Sequence, residues 1–252
     1  MNNTVAYKFE HFILNGLGAD FFRICKLKHY YEKLNKNLAM HTHDNWELVP
    51  SYENRNWGYF FDSLEMTDSN EIEFVTEDVL KEIENLQIDF EVLSRICVDL
   101  FKPTENYKSN IRINNSYAVI HIRRGDKVSG SWAEGSFHEI DEYYDKIKDR
   151  FNPSNVFVMS DSPEVAEQAK SMGFMVDLNE IRRDGFVYNH YSTGYNFDDL
   201  HDEAFTFFKN MQIFKNAEVL VGSNSSFFFV IGQLLNRKRG ISISDNLYYR
   251  TI

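Results

Sequence analysis

The chain has 252 residues, 43% of them hydrophobic and 15% aromatic, with a formal net charge of −11. That length and composition allow one large domain or two of ordinary size with a real hydrophobic core. The negative charge argues against general nucleic-acid binding, and no apolar run reaches the roughly 20 residues that cross a bilayer. Cys25 and Cys97 are too few for a disulfide framework, and the first residues do not resemble a signal peptide. We therefore predict buried free thiols and a cytoplasmic location.

The N-terminal stretch predicts a strand over 8–14, a turn containing Gly16 and Gly18, a helix over 21–38 and a strand over 38–42. A strand, a Gly-x-Gly turn and a helix can bind phosphate at the helix N-terminus. The full dinucleotide-binding fingerprint is absent, and a tight strand-to-helix turn without a ligand explains the same residues equally well.

Two patterns in the next stretch could indicate a ligand site, but a purely structural role explains each of them better. His41 and His43 alternate as a metal pair could, but no Cys, Asp or Glu completes a ligand spacing, which favours exposed loop histidines. Residues 45–69 interleave aromatic and polar side chains, which can stack on sugars but more often fill a core. Apolar residues at helical spacing then predict one long helix over 77–101.

Pro103 ends that helix, and the polar stretch 103–116 is the candidate linker between domains 1–107 and 108–252. The second half alternates strands with helices. The predicted strands cover 117–122, 155–160, 174–178 and 217–221, and the predicted helices cover 137–147, Pro163 to Gly173, 201–216 and 227–235, with a loop over 184–202. This alternation predicts an α/β fold with parallel strands.

Polar residues follow three of these predicted strands. Arg123, Arg124 and Asp126 follow the first, Asp161 and Ser162 the second, and Ser225 and Ser226 the last. Parallel strands bring their carboxyl ends to one edge of the sheet, where α/β proteins bind ligands. Guanidiniums bind phosphate bidentately, while hydroxyls and helix N-terminal amides can cap an anion. The set predicts a nucleotide-diphosphate site, although a solvated charged turn would also explain Arg-Arg-Gly-Asp.

Side-chain alternation along the first of these strands separates its polar residues. His121 and Arg123 should lie on one face of the sheet and Arg124 on the other. The sequence contains no Walker loop and no nucleophile elbow, which disfavours a kinase or an α/β hydrolase. It also contains no Asp-x-Asp triplet of the kind that metal-dependent sugar transferases use.

The residues from His121 to Val128 resemble the first motif of the α1,6-fucosyltransferases, which include core N-glycan and bacterial nodulation enzymes. They are similar also to the wider superfamily that contains the protein O-fucosyltransferases. Residues 137–143, 156–163 and 214–226 resemble the helix that follows the first motif, the second motif and the third motif. The first half resembles the family only through Gly16-x-Gly18 and the aromatic stretch around Trp57.

The resemblance implies a GT-B-like fold, in which two Rossmann-like domains face each other across a cleft and the N-terminal one lies on the acceptor side. It implies an inverting, metal-independent transfer of L-fucose from GDP-fucose to a glycan, with no cofactor and no bound metal. The resemblance implies a role for each residue: Arg123 contacts the β-phosphate, Arg124 and Asp126 shape that site, His121 supports it or packs on guanosine, Asp161 reads guanine or ribose, and Ser225 and Ser226 donate to phosphate. We also predict that Gly16 and Gly18 contribute to donor binding.

The chain departs from the family pattern at two places. Ser162 stands where the α1,6 enzymes have a second acidic residue, which weakens the implied base contact. The loop before Phe137 is longer, and counting back from that residue places the loop carboxylate, a candidate general base, at Glu134; Asp126 or no protein base are the alternatives. The stalk, coiled coil and SH3-like module of the animal enzyme have no counterpart here, so its acceptor does not carry over.

Two other functions would fit the same residues. The donor could be another GDP-linked deoxyhexose, or the chain could be a non-catalytic nucleotide- or glycan-binding module.

Overall fold

The computed structural model describes residues 3–7, 17–41, 61–69, 71–108, 113, 116–124, 138–160, 162–176, 197–223 and 226–243. Its strands are β1 Thr4–Tyr7, β2 Asn37–His41, β3 Met66–Thr67, β4 Glu73–Phe74, β5 Ala118–Ile122, β6 Val156–Ser160, β7 Val219–Gly222 and β8 Ile241–Ser242. Its α-helices are α1 Leu17–Lys33, α2 Glu77–Glu84, α3 Phe90–Leu100, α4 Ile140–Tyr144, α5 Pro163–Ser171, α6 Phe197–Asn216 and α7 Phe227–Asn236.

The strands form two sheets, and every strand pair within them is parallel. The first sheet has the order β3-β2-β1-β4 and the second β6-β5-β7-β8. Parallel strands need crossover connections, which the helices between them supply. The predicted α/β fold with parallel strands is therefore confirmed.

The chain divides into two compact units. Unit 1 comprises Met1–Ser109, His190–Phe208 and Thr251–Ile252, and unit 2 comprises Asn110–Asn189 and Lys209–Arg250. Unit 1 contains the first sheet, and unit 2 contains the second. Within unit 1, Phe208 packs its ring against Phe61, Phe101 and Tyr107, with centroid separations of 5.1, 5.6 and 5.0 Å. The boundary at residue 107 stays a prediction.

In unit 1 the elements are displaced from their predicted positions. The predicted strand over 8–14 lies outside the described residues, and β1 precedes it. The helix α1 already contains Gly18 in its first turn, and it ends at Lys33 because Asn35 adopts a left-handed φ of 54°. His41 was predicted to lie in an exposed loop, but it is the last residue of β2 and only 1% exposed, with its ring 5.5 Å from that of Phe74.

The predicted helix over 77–101 is two helices, α2 and α3. The side-chain oxygen of Asp89 accepts hydrogen bonds from the backbone N–H groups of Glu91 and Val92 at 2.8 and 3.4 Å, which caps α3. Both helices pack against α1, so the apolar residues of both face the same neighbour. In the sequence these residues therefore look like the apolar face of one continuous helix. The break is therefore set by the cap at Asp89, which the apolar pattern does not reveal.

In unit 2 the second sheet carries helices on both faces. Ala118, Ile120 and Ile122 of β5 pack with Ile140 and Tyr143 of α4 and with Val165 and Ala169 of α5. Phe214 of α6 and Phe229 of α7 lie against His121 of the same strand. Side chains alternate along a strand, so the two groups of helices cover opposite faces. The second sheet is thus doubly wound.

Most predicted elements of unit 2 are confirmed, with some changed limits. Pro163 begins α5, and Gly173, with a φ of 86°, follows its end. The helix predicted over 137–147 is limited to α4. The strand predicted over 174–178 is reduced, in the described part, to a single parallel bridge between Met175 and Phe157. The predicted loop 184–202 is wrong from 197 onward, where α6 begins; 184–196 lie outside the described residues.

The cap of α3 gives a first prediction. We expect Asp89→Ala to lower the free energy of unfolding by about 0.5–2 kcal/mol, because the first turn of α3 loses its acceptor. Urea unfolding followed by circular dichroism measures this change. Asp99→Ala, the same substitution at an exposed position near the end of the same helix, is the control. Equal losses in the two variants would show that the cap contributes nothing specific.

Candidate functional site

Three strand ends meet at one edge of the second sheet. The register pairs Ile122 of β5 with Ser160 of β6, and Ile120 with Val221 of β7. Because all three strands run in the same direction, their carboxyl ends lie side by side at this edge. The predicted convergence of these strand ends is confirmed by the pairing.

The strand order marks a particular position on this edge. From β5 the chain passes to β6 on one side, and it later returns to β7 on the other side. Helices α4 and α5 lie on one face and α6 and α7 on the other, so the winding direction reverses between β5 and β7. In open α/β sheets such a reversal leaves a crevice outside the strand ends, which is where ligands bind. The residues that follow β5 and β7 therefore flank the position at which sheets of this kind bind ligands.

His121 is the penultimate residue of β5 and is 7% exposed. Its ring is stacked near the rings of Phe228 and Phe229, with centroids 6.2 and 6.5 Å away, and Phe214 lies at 6.0 Å. Burial, and to a lesser extent the positive charge of Arg123, lowers the pKa of His121 to about 3. His121 is therefore a neutral imidazole at physiological pH and brings no positive charge to this edge.

Arg123 is the first residue after β5 and is partly buried. It is close enough to His121 for its charge to lower the pKa of that ring. Arg124 behaves differently: it is 8% exposed, and its Nη2 donates a hydrogen bond to the backbone oxygen of His138 at 2.5 Å, just before α4. His121 thus contacts the α6 and α7 side and Arg124 the α4 side, as the alternation along β5 predicts.

The two described serines of the predicted site have different local roles. The Ser162 hydroxyl accepts a hydrogen bond from the backbone N–H of Val165 at 3.4 Å and caps α5. Ser226 occupies the N-cap position of α7 and is buried, but its side chain makes no capping bond. Its backbone N–H donates to Ser223 at 3.1 Å. The Ser226 hydroxyl is therefore not committed to capping its own helix.

The remaining predicted site residues divide into two groups. Gly16, Asp126, Glu134, Asp161 and Ser225 lie outside the described residues. Gly18 is described, but it belongs to unit 1, whereas His121, Arg123, Arg124, Ser162 and Ser226 all belong to unit 2. The structure thus brings the described residues of the second half together within one unit.

Two buried polar atoms lie in this part of unit 2, one on His121 and one on Asn210, and the sequence did not single out Asn210. Nδ1 of His121 and Oδ1 of Asn210 are buried and have no hydrogen-bond partner among the described residues. Asn210 lies one helical turn before Phe214 on α6, hence on the same face as the ring that packs on His121. A buried polar atom without a partner costs about 1–3 kcal/mol.

A close approach of backbone to ring fixes the end of β7. A Cβ on Gly222 would lie 2.6 Å from Cδ2 of Phe229, and one on Gly240 would lie 2.6 Å from Cζ of the same ring. Phe229 therefore packs directly over the backbone at both glycines. The same ring faces His121, so the end of β7 and the penultimate residue of β5 are held by one side chain.

Within the described ranges, no group of three or more His, Cys, Asp or Glu side chains is placed to hold a metal ion. No helix in these ranges is long and apolar enough to cross a membrane.

The neutral state of His121 gives a second prediction. Its pKa is lower in the folded than in the unfolded chain, so the unfolded state gains a proton as the pH falls below about 6.5 and folding stability is lost. Between pH 7 and pH 5 the free energy of unfolding should fall by about 2 kcal/mol more in the parent than in His121→Phe, which keeps an aromatic ring without a proton site. Urea titrations at the two pH values measure the difference. Identical pH dependence in the two proteins would mean that His121 titrates normally.

No protein-family model and no curated protein sequence matches this chain. Solved structures do match. The NodZ α-1,6-fucosyltransferase soaked with GDP-fucose is 12% identical, covers 93% of both chains and gives a TM-score of 0.58. The same enzyme co-crystallised with GDP gives 0.53 at 13% identity, covering 92% of this chain and 91% of that one. A mutant of Arabidopsis thaliana FUT1 in complex with GDP gives 0.54 at 13% identity, covering 95% of this chain and 70% of that one. The chain has a fucosyltransferase-like fold.

Proposed function

We propose that this protein is a glycosyltransferase that transfers L-fucose from GDP-fucose to a glycan, with inversion and without a metal ion. The observation that carries the proposal is the position of Arg123. This residue leaves the central strand of the second sheet next to the reversal of winding, beside a histidine that burial keeps neutral. The fucosyltransferase-like fold and the GDP-containing neighbours support the choice of donor.

The chemistry explains why a guanidinium is needed there. When the bond to the sugar breaks, negative charge develops on the departing diphosphate, and fixed positive charge lowers the energy of that state. His121 is neutral, so the positive charge on this face of β5 comes from Arg123. A guanidinium can hold two phosphate oxygens at once and takes the place that a divalent cation has in metal-dependent transferases.

The other predicted residues complete the proposal. The Ser226 hydroxyl and the amino end of α7 would donate to phosphate oxygens together with Ser225. Asp161 would read the guanine or the ribose, with Ser162 next to it, and Gly16 and Gly18 would contribute to donor binding. Glu134 is the proposed general base, with Asp126 as the alternative. A GT-B-like arrangement of domains 1–107 and 108–252 is part of the same proposal.

The third prediction tests the central residue. We expect Arg123→Ala to lower the rate of fucose transfer about 30-fold to several thousand-fold, because a lost charge-assisted bidentate contact costs about 2–5 kcal/mol. Arg123→Lys should recover little, because an ammonium lacks the planar fork. Arg150→Ala removes a surface arginine that pairs with Glu218 in the same unit and is the matched control. A folded Arg123→Ala that binds GDP and transfers sugar like the parent would place the diphosphate site elsewhere.

The fourth prediction tests donor and metal together. A panel of GDP- and UDP-sugars, assayed with a broad set of glycans, should give transfer from GDP-fucose that persists in excess EDTA, because arginine rather than a divalent cation neutralises the diphosphate. Binding of a UDP-sugar but of no GDP-sugar would refute the donor assignment. Saturable GDP-fucose binding without transfer to any glycan would instead identify a non-catalytic binding module.

A further inference from the structure

The start of α4 carries a carboxylate with two well-defined partners. One oxygen of Glu142, Oε1, accepts a hydrogen bond from the backbone N–H of Glu139 at 2.8 Å. The other, Oε2, is 2.9 Å from Nδ1 of His138. The bond from His138 and the bond from Glu139 both lower the pKa of Glu142, so this group is ionised at neutral pH. An ionised carboxylate can only accept, so the hydrogen lies on Nδ1 of His138.

The backbone oxygen of His138 has a separate partner. It accepts the bond from Nη2 of Arg124, a side chain that is almost fully buried. Glu142 therefore holds the two residues before α4, and one of them holds Arg124. The positive charge of Arg124 also lowers the pKa of Glu142. The result is a continuous connection from α4 to the residue after Arg123.

This connection matters because β5 ends at Ile122. Arg123 and Arg124 lie beyond the paired strand, where a parallel ladder no longer fixes the direction of the backbone. The peptide unit between them is planar, so fixing Arg124 restricts the orientations open to Arg123. The bond to His138 anchors Arg124 on the α4 side of the sheet. Arg123 then lies on the opposite face, on the same side as His121.

We propose that Glu142 is a positioning residue for the donor site, which holds His138 so that its backbone oxygen anchors Arg124 and thereby aims Arg123 at the diphosphate. The inference rests on the proposed function, since it assigns Glu142 a task in GDP binding. Glu142 itself touches no substrate, and its contribution passes through His138 and Arg124.

Calorimetric titration with GDP tests the inference. We expect Glu142→Ala to weaken GDP binding about tenfold, because a misdirected Arg123 loses its bidentate geometry. Glu142→Gln should bind within about twofold of the parent, because its amide oxygen can accept from Glu139 and its amide nitrogen can donate to Nδ1 once the imidazole hydrogen moves to Nε2. Asp141→Ala removes a neighbouring exposed carboxylate of the same helical turn and should leave GDP affinity unchanged.

A double-mutant cycle separates positioning from a general loss of structure. If Glu142 acts through Arg123, then Glu142→Ala should weaken GDP binding in the parent but add almost nothing in Arg123→Ala. Two results would overturn the inference: a Glu142→Ala protein that melts earlier but binds GDP like the parent when folded, or equal weakening in both backgrounds. Failure of the parent itself to bind GDP would refute the proposed function, and the positioning role with it, and that result is distinct from the other two.

Discussion

The strand β5 is paired on both edges and covered on both faces, and the site depends on this constraint. Each of its residues is buried, so the chain has no route to a ligand until it leaves the strand at Arg123. The hydrophobic free energy that buries Ile120 and Ile122 between helices also fixes where the first arginine emerges. The position of the charge follows from the packing of the strand, and the chemistry of the site follows from the position of the charge.

Because side chains alternate between the two faces of the sheet, three neighbouring polar residues have different surroundings. His121 faces the aromatic side chains of α6 and α7, where burial keeps it neutral. Arg124 faces α4, and its guanidinium donates a hydrogen bond to the backbone oxygen of His138. Arg123 is close enough to His121 for its charge to lower the pKa of that ring, and the ring itself carries no positive charge. Adjacent residues of similar chemistry thus acquire different tasks from alternation alone.

The sequence predicted the elements whose signals are local and strong. The apolar stretch 117–122, Pro163 at the start of α5 and the alternation that separates His121 from Arg124 all follow from short-range rules. The strands β3, β4 and β8 have two residues each and offer no alternation to detect. The limits of α1 and α3 depend on a left-handed Asn35 and a capping Asp89, which outweigh the apolar period. The link between Arg124 and His138 uses a backbone oxygen that any residue would supply, so no residue type in the sequence marks it.

The packing of the Phe208 ring has a consequence for how the chain folds during synthesis. It packs against Phe61, Phe101 and Tyr107, yet it is separated from them in sequence by most of unit 2. During synthesis the chain emerges from its N-terminus, so the aromatic core of unit 1 stays incomplete until residue 208 has left the ribosome. By then β5 and β6 have long been available to pair. Unit 2 in turn needs β7, α7 and β8, all of which follow residue 208, so neither unit can finish folding until that point has been passed. A nascent chain halted before residue 208 would therefore expose aromatic surface of unit 1 to chaperones.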